Sequence, residues 1–86
     1  MTLPTGWTES GGALRRRYAL AGFSEAVALV NAIAAEAEKA DHHPDLHLTG
    51  YRRLEVVLST HDAGDTVTEK DRALAAVIER LPRRDA

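Results

Sequence analysis

The sequence of 86 residues has no cysteine, one methionine, one tryptophan, one phenylalanine and three prolines. Without cysteine there is no disulfide, no thiolate metal ligand and no thiol nucleophile. That absence fits a reducing compartment. No apolar run approaches the ~18 residues that a membrane-spanning helix needs. The stretch from Met1 to Trp7 also lacks the charged start and apolar core of a signal peptide. These absences give the expectation of a cytoplasmic protein with no membrane partner. A strong charge of one sign is missing too. The formal net charge is −2, which disfavours direct nucleic acid binding. The main basic patch, Arg15-Arg16-Arg17, reads as a solvated strand face, with an anion-contacting or interface patch as the sharper alternative. There is no glycine-rich phosphate loop. Ser24, Ser59 and Thr60 lack the glycine-flanked tight turn of a nucleophile elbow.

What is present is the 44% apolar composition of a folded protein. One domain over residues 1–86 is expected, because chains this short rarely support two cores. Such a domain buries ~60–65% of its unfolded surface and is marginal alone. Association through an apolar face is the remaining route to stability, so a homodimer or homotetramer is expected.

Trp7 to Ser10 is a short strand candidate, and Gly11-Gly12 is a strong turn signal. Ala13 to Leu20 alternates, with Leu14, Tyr18 and Leu20 on one face and Arg15 and Arg17 on the other. Ser24 reads as the N-cap of a helix that runs to about Ala40. Its apolar stripe is Phe23, Val27, Val30, Ile33, Ala34 and Ala37. Pro44 stops it and biases His43 toward extended backbone. Leu46 to Leu48 opens another strand, and Arg52 to Thr60 alternates with Leu54, Val56 and Leu58 inward. His61 continues the outward set. After a loop from Asp62 to Val67, Thr68-Glu69-Lys70-Asp71 matches a capping box. Ala73, Leu74, Val77, Ile78 and Leu81 follow as a second stripe. The order β-β-α-β-β-α predicts an α+β two-layer sandwich: a four-stranded antiparallel sheet with two helices packed on one face. Its open sheet face or edge is left for oligomer contacts.

Most of the chemistry lies in the histidines. Three of the four stand at two points, His42-His43 past the first helix and His61 at a strand end. Imidazole titrates near neutrality, so such a cluster suits proton transfer. The helix dipole favours a cation at His42, and Glu38 precedes it by four residues on the same face. The plainer reading is a C-capping histidine with an ordinary salt bridge. A metal site is not expected, because neighbouring side chains such as His42 and His43 diverge and His47 belongs to an alternating strand. The capping box fully explains Asp71. Trp7 is either core or a plate that stacks on a flat ring, and Tyr51 reads as a packing residue. Acid–base chemistry on a small bound molecule is the best local inference.

Together, Glu38-x3-His42-His43-Pro44-x6-Tyr51-x9-His61-x9-Asp71 resembles the signature of the pterin-4a-carbinolamine dehydratases. Gly6-Trp7, Leu14-Arg15, Tyr18, Phe23 and Ser59-Thr60-His61-Asp62 agree with it, so the likeness covers Gly6 to about Leu81. Two departures are visible. Only Met1 to Thr5 stands where family members usually carry a further short helix, which is expected to alter oligomer contacts or the pocket rim. The loop from Ala63 to Val67 differs from the usual glycine-leucine pairing.

The resemblance implies dehydration of 4a-hydroxytetrahydropterin to quinonoid dihydropterin. It implies no metal and no organic cofactor, the pterin being the substrate. His42, His43 and His61 are the implied catalytic residues, with Glu38 in support of His42. Asp41, Pro44, Ser59, Thr60, Asp62 and Trp7 are expected to bind substrate. The alternative is a protein-binding scaffold, since relatives of this fold serve as a transcription-factor dimerisation cofactor or assist Rubisco assembly. A pure scaffold has no reason to hold all three histidines.

Overall fold

The computed structural model describes residues 3–86, apart from the side chain at position 62. Gly11 and Gly12 both take positive φ, +59° and +77°, the backbone that a two-residue hairpin turn requires. They join β1 (Thr8–Ser10) to β2 (Ala13–Ala19). Then come α1 (Phe23–Ala40), β3 (Asp45–Thr49), β4 (Arg53–Leu58) and α2 (Glu69–Glu79). A 3-10 turn over His61–Ala63 lies between β4 and α2. The strands form one antiparallel sheet in the order β1-β2-β4-β3. This is the α+β fold that the alternation predicts.

In the register Leu14 faces Leu58 and Tyr18 faces Leu54. Their row, with Leu20 and Val56, is buried against Leu29 and Ile33 of α1 and Leu74 and Ile78 of α2. Three local expectations are corrected. Helix α1 starts two residues earlier than the Ser24 cap implies, with extended Gly22 as its N-cap, and Phe23 is 57% exposed. Its buried stripe is Ala26, Leu29, Ile33 and Ala37, not the predicted set of which only Ile33 and Ala37 remain. An alanine-rich helix marks its inner face weakly, and Leu29 turns it by about one residue toward the sheet. In α2 the buried residue is Ala75 rather than Ala73.

Tyr51 is 62% exposed, because it sits at φ +56° beside Gly50 in the turn between β3 and β4. The arginine run also divides. Arg17 stays in solvent, but Arg16 shares the parity of Tyr18 and turns inward. It donates to both oxygens of Glu79 at 3.1 and 3.2 Å. The Trp7 indole N–H and the Tyr18 hydroxyl donate to the same carboxylate at 2.9 and 2.7 Å. Arg16 and Arg83 also lie over the Tyr18 ring. Burial works against the Glu79 charge, but its donors Arg16, Tyr18 and Trp7 outweigh burial and hold its pKa at about 2. Burial and donation to Glu79 push the Tyr18 hydroxyl well above its ordinary range.

Candidate active site

Helix α1 ends on Asp41 in the left-handed conformation, φ 50° and ψ 43°. The His42 amide donates back to the Ala37 carbonyl at 3.1 Å, closing the helix end as Schellman-type caps do. This turn takes His42 off the α1 surface and points it at α2. Its side chain is only 12% exposed, and its Nε2 lies 2.5 Å from Asp71 Oδ1. The carboxylate beside His42 is therefore Asp71. Glu38 instead stands 3.5 Å from the exposed His43 ring. The helical i,i+4 relation between Glu38 and His42 fails because Asp41 breaks the helix between them.

Asp71 is fully buried, at 0% exposure. As predicted, it closes the capping box of α2, where its Oδ2 accepts the Thr68 amide at 2.9 Å. The same oxygen accepts the Thr60 hydroxyl at 2.8 Å. Because that hydroxyl gives its proton to Asp71, the Thr68 hydroxyl donates to Thr60 over 2.7 Å. Burial alone opposes the charge. The bonds from His42, the Thr68 amide and Thr60 prevail and hold Asp71 below the usual carboxylate range. A buried anion at a helix N-terminus thus backs the His42 ring.

Strand β4 ends at Leu58, and Thr60 pairs with Thr66 in an isolated bridge. His61 opens the 3-10 turn and is exposed rather than continuing the strand. Asp41, His42, His43, Ser59, Thr60, His61 and Lys70 line one open cleft of about 180 Å³. Pro44 and Trp7 are not among these lining residues. Trp7 is buried in the core with its indole N–H on Glu79. The side chain of Asp62 lies outside the described residues. Among the described residues no group of three or more His, Asp or Glu side chains is arranged to hold a metal ion.

A profile of the family described as pterin 4 alpha carbinolamine dehydratase matches residues 1–81. This chain belongs to the pterin 4 alpha carbinolamine dehydratase family. A provisionally named pterin-4-alpha-carbinolamine dehydratase of Thermomicrobium roseum is 46% identical over 76 residues, spanning 88% of this chain and 80% of its own. One from Roseiflexus castenholzii is 44% identical over 77 residues, 90% of this chain and 81% of its own. The crystal structure of a transcriptional coactivator/pterin dehydratase from Brucella melitensis matches with a TM-score of 0.80 at 34% identity, covering 87% of this chain and 80% of that one. A pterin dehydratase-like protein identified as a RuBisCO assembly factor in the alpha-carboxysome matches with a TM-score of 0.70 at 27% identity, covering 86% of each.

In this pterin 4 alpha carbinolamine dehydratase family member, sequence reasoning missed two neighbours of the histidines. One is Lys70, in the first turn of α2, which brings a cation to the cleft. Its signal was its position just before Asp71 in the capping box. The other is Asp65, whose Oδ1 lies 2.5 Å from His61 Nδ1. Asp71 itself was visible, but its cap masked its second role.

Proposed function

We propose that this protein dehydrates 4a-hydroxytetrahydropterin to quinonoid dihydropterin, with histidine side chains carrying the protons. The observation that carries this reading is the cleft where His42, His43 and His61 meet, with buried, ionised Asp71 behind His42. Loss of the C4a hydroxyl as water needs a proton on the departing oxygen, and the N5 proton must leave. One imidazolium and one neutral imidazole across the ring do both, and the proton count balances. The Asp71 carboxylate orients the His42 ring and fixes its tautomer, the role first expected of Glu38. His61 is the partner acid or base, and His43 on the rim holds the pterin. Asp41 and the Ser59 backbone offer hydrogen bonds to its polar edge, the Thr60 amide and carbonyl being taken by Thr66, Ala63 and Asp65. The chemistry as proposed needs no cofactor, and a homo-oligomer is the proposed working form.

The test mixes the protein with chemically generated 4a-hydroxytetrahydropterin and follows the quinonoid product. Saturable acceleration is the expected result; a rate equal to buffer overturns the proposal. That second outcome would favour a protein-binding role, the reading supported by similar structures described as a coactivator and a RuBisCO assembly factor.

A further inference from the structure

We propose that Asp65 is the positioning residue of His61: it holds the proton on Nδ1, so that the neutral ring carries its lone pair on Nε2. The inference rests on the reading of that cleft as a proton-transfer site.

The carboxylate of Asp65 can only accept, so the ring nitrogen 2.5 Å from it, His61 Nδ1, is the donor. In the neutral ring the lone pair then sits on Nε2. Free imidazole side chains in water favour the opposite tautomer, so Asp65 inverts the ordinary preference. His42 is wired in the other sense, its Nε2 tied to Asp71, so the lone pair of its neutral ring sits on Nδ1. The two rings at one cleft are therefore tied to their carboxylates through different nitrogens.

Both members of the His61–Asp65 pair are exposed, and an exposed ion pair between free side chains contributes little. Here the backbone supplies the order. Asp65 sits at φ +55°, and its amide donates to the Thr60 carbonyl at 3.1 Å. The Thr60 amide donates to the Thr66 carbonyl at 2.9 Å, and the Gly64 amide to the His61 carbonyl at 3.0 Å. Gly12, in the β1–β2 turn, backs the loop from outside. A Cβ added there would lie 2.6 Å from the Asp65 carbonyl oxygen. Only a glycine lets the hairpin approach so closely.

The test uses protein labelled with ¹⁵N in histidine, with His61 assigned by the loss of its signals in His61→Gln. Long-range ¹H–¹⁵N correlations at a pH where the rings are neutral report the tautomer of each. Asp65→Gly removes the carboxylate and keeps the left-handed backbone; Asp65→Asn keeps an oxygen that can accept. In the parent, His61 is expected as the Nδ1–H tautomer. Asp65→Gly should move it to Nε2–H with the His42 signals unmoved, and Asp65→Asn should fall between them. Turnover of the carbinolamine should drop on the order of tenfold in kcat for Asp65→Gly, with KM near the parent value and partial recovery in Asp65→Asn. A His61 ring that keeps Nδ1–H without the carboxylate overturns the proposal. A tautomer that moves while kcat does not overturns it as well. If the parent itself does not turn over, the proposed function fails, and the tautomer comparison still decides whether Asp65 governs His61.

Discussion

At the scale of single residues, Asp71 is the most informative position in the chain. Its two oxygens serve two tasks, one capping α2 and binding Thr60, the other holding His42. From sequence the cap alone was enough to account for it, because a capping box is a local pattern and the contact to His42 spans 29 positions. Glu38 pairs with His43 rather than His42 for a similarly local reason. The helical i,i+4 relation does not reach past Asp41, where the backbone leaves the helix. Asp71→Asn keeps the shape and the two donors on Oδ2 but removes the charge behind His42. Its kcat is expected to fall on the order of 10²-fold, and stability to fall by about 1–3 kcal/mol, since a buried hydrogen-bond network loses its ionised member. Steady-state kinetics and urea unfolding of the one variant check both numbers.

Elements were legible where local signals are strong. Gly11-Gly12 marks the hairpin, Thr68 to Asp71 marks the start of α2, and the alternation from Arg52 to Thr60 marks a half-buried strand that forms over Arg53–Leu58. The inner faces of the helices were less so, because alanine covers either face of α1 without choosing one. Least legible was what ties the elements together. Glu79 gathers Trp7, Arg16 and Tyr18 from segments 61 to 72 positions away. It lies eight residues after Asp71, about 12 Å along the helix, so α2 is held at both ends by carboxylates. Glu79→Ala is expected to lower stability by about 2–4 kcal/mol, whereas breaking the exposed Glu36–Lys39 pair at 3.3 Å should cost under ~0.5 kcal/mol. Denaturant melts of both variants make the comparison. Gly12→Ala offers a sharper check on the loop. It combines φ +77° with a collision at the Asp65 carbonyl, so it should cost more than Gly11→Ala, which has positive φ but open space. About 2–3 kcal/mol against about 1–2 is the expected contrast, and only Gly12→Ala should shift the His61 signals.

For the whole molecule, the pattern of charge sets its response to acid. Glu79 has a folded pKa of about 2 against an ordinary value of 4.5. Its contribution is therefore fully present above about pH 4.5 and fades as pH falls toward 2. Asp71, also lowered, acts in the same direction. Unfolding free energies from urea titrations between pH 6 and pH 2 should decline in the parent by about 2–3 kcal/mol more than in Glu79→Gln, which has no such charge to lose. An equal decline in both would contradict the hub. In the cleft, two differently wired imidazoles, His42 and His61, are proposed to act on one bound carbinolamine. The measurement that tests this most directly is turnover of 4a-hydroxytetrahydropterin by His42→Ala and His61→Ala, with circular dichroism to show that each is folded. Each is expected to fall by at least about 10²-fold. Two folded variants that work at the parent rate would contradict it.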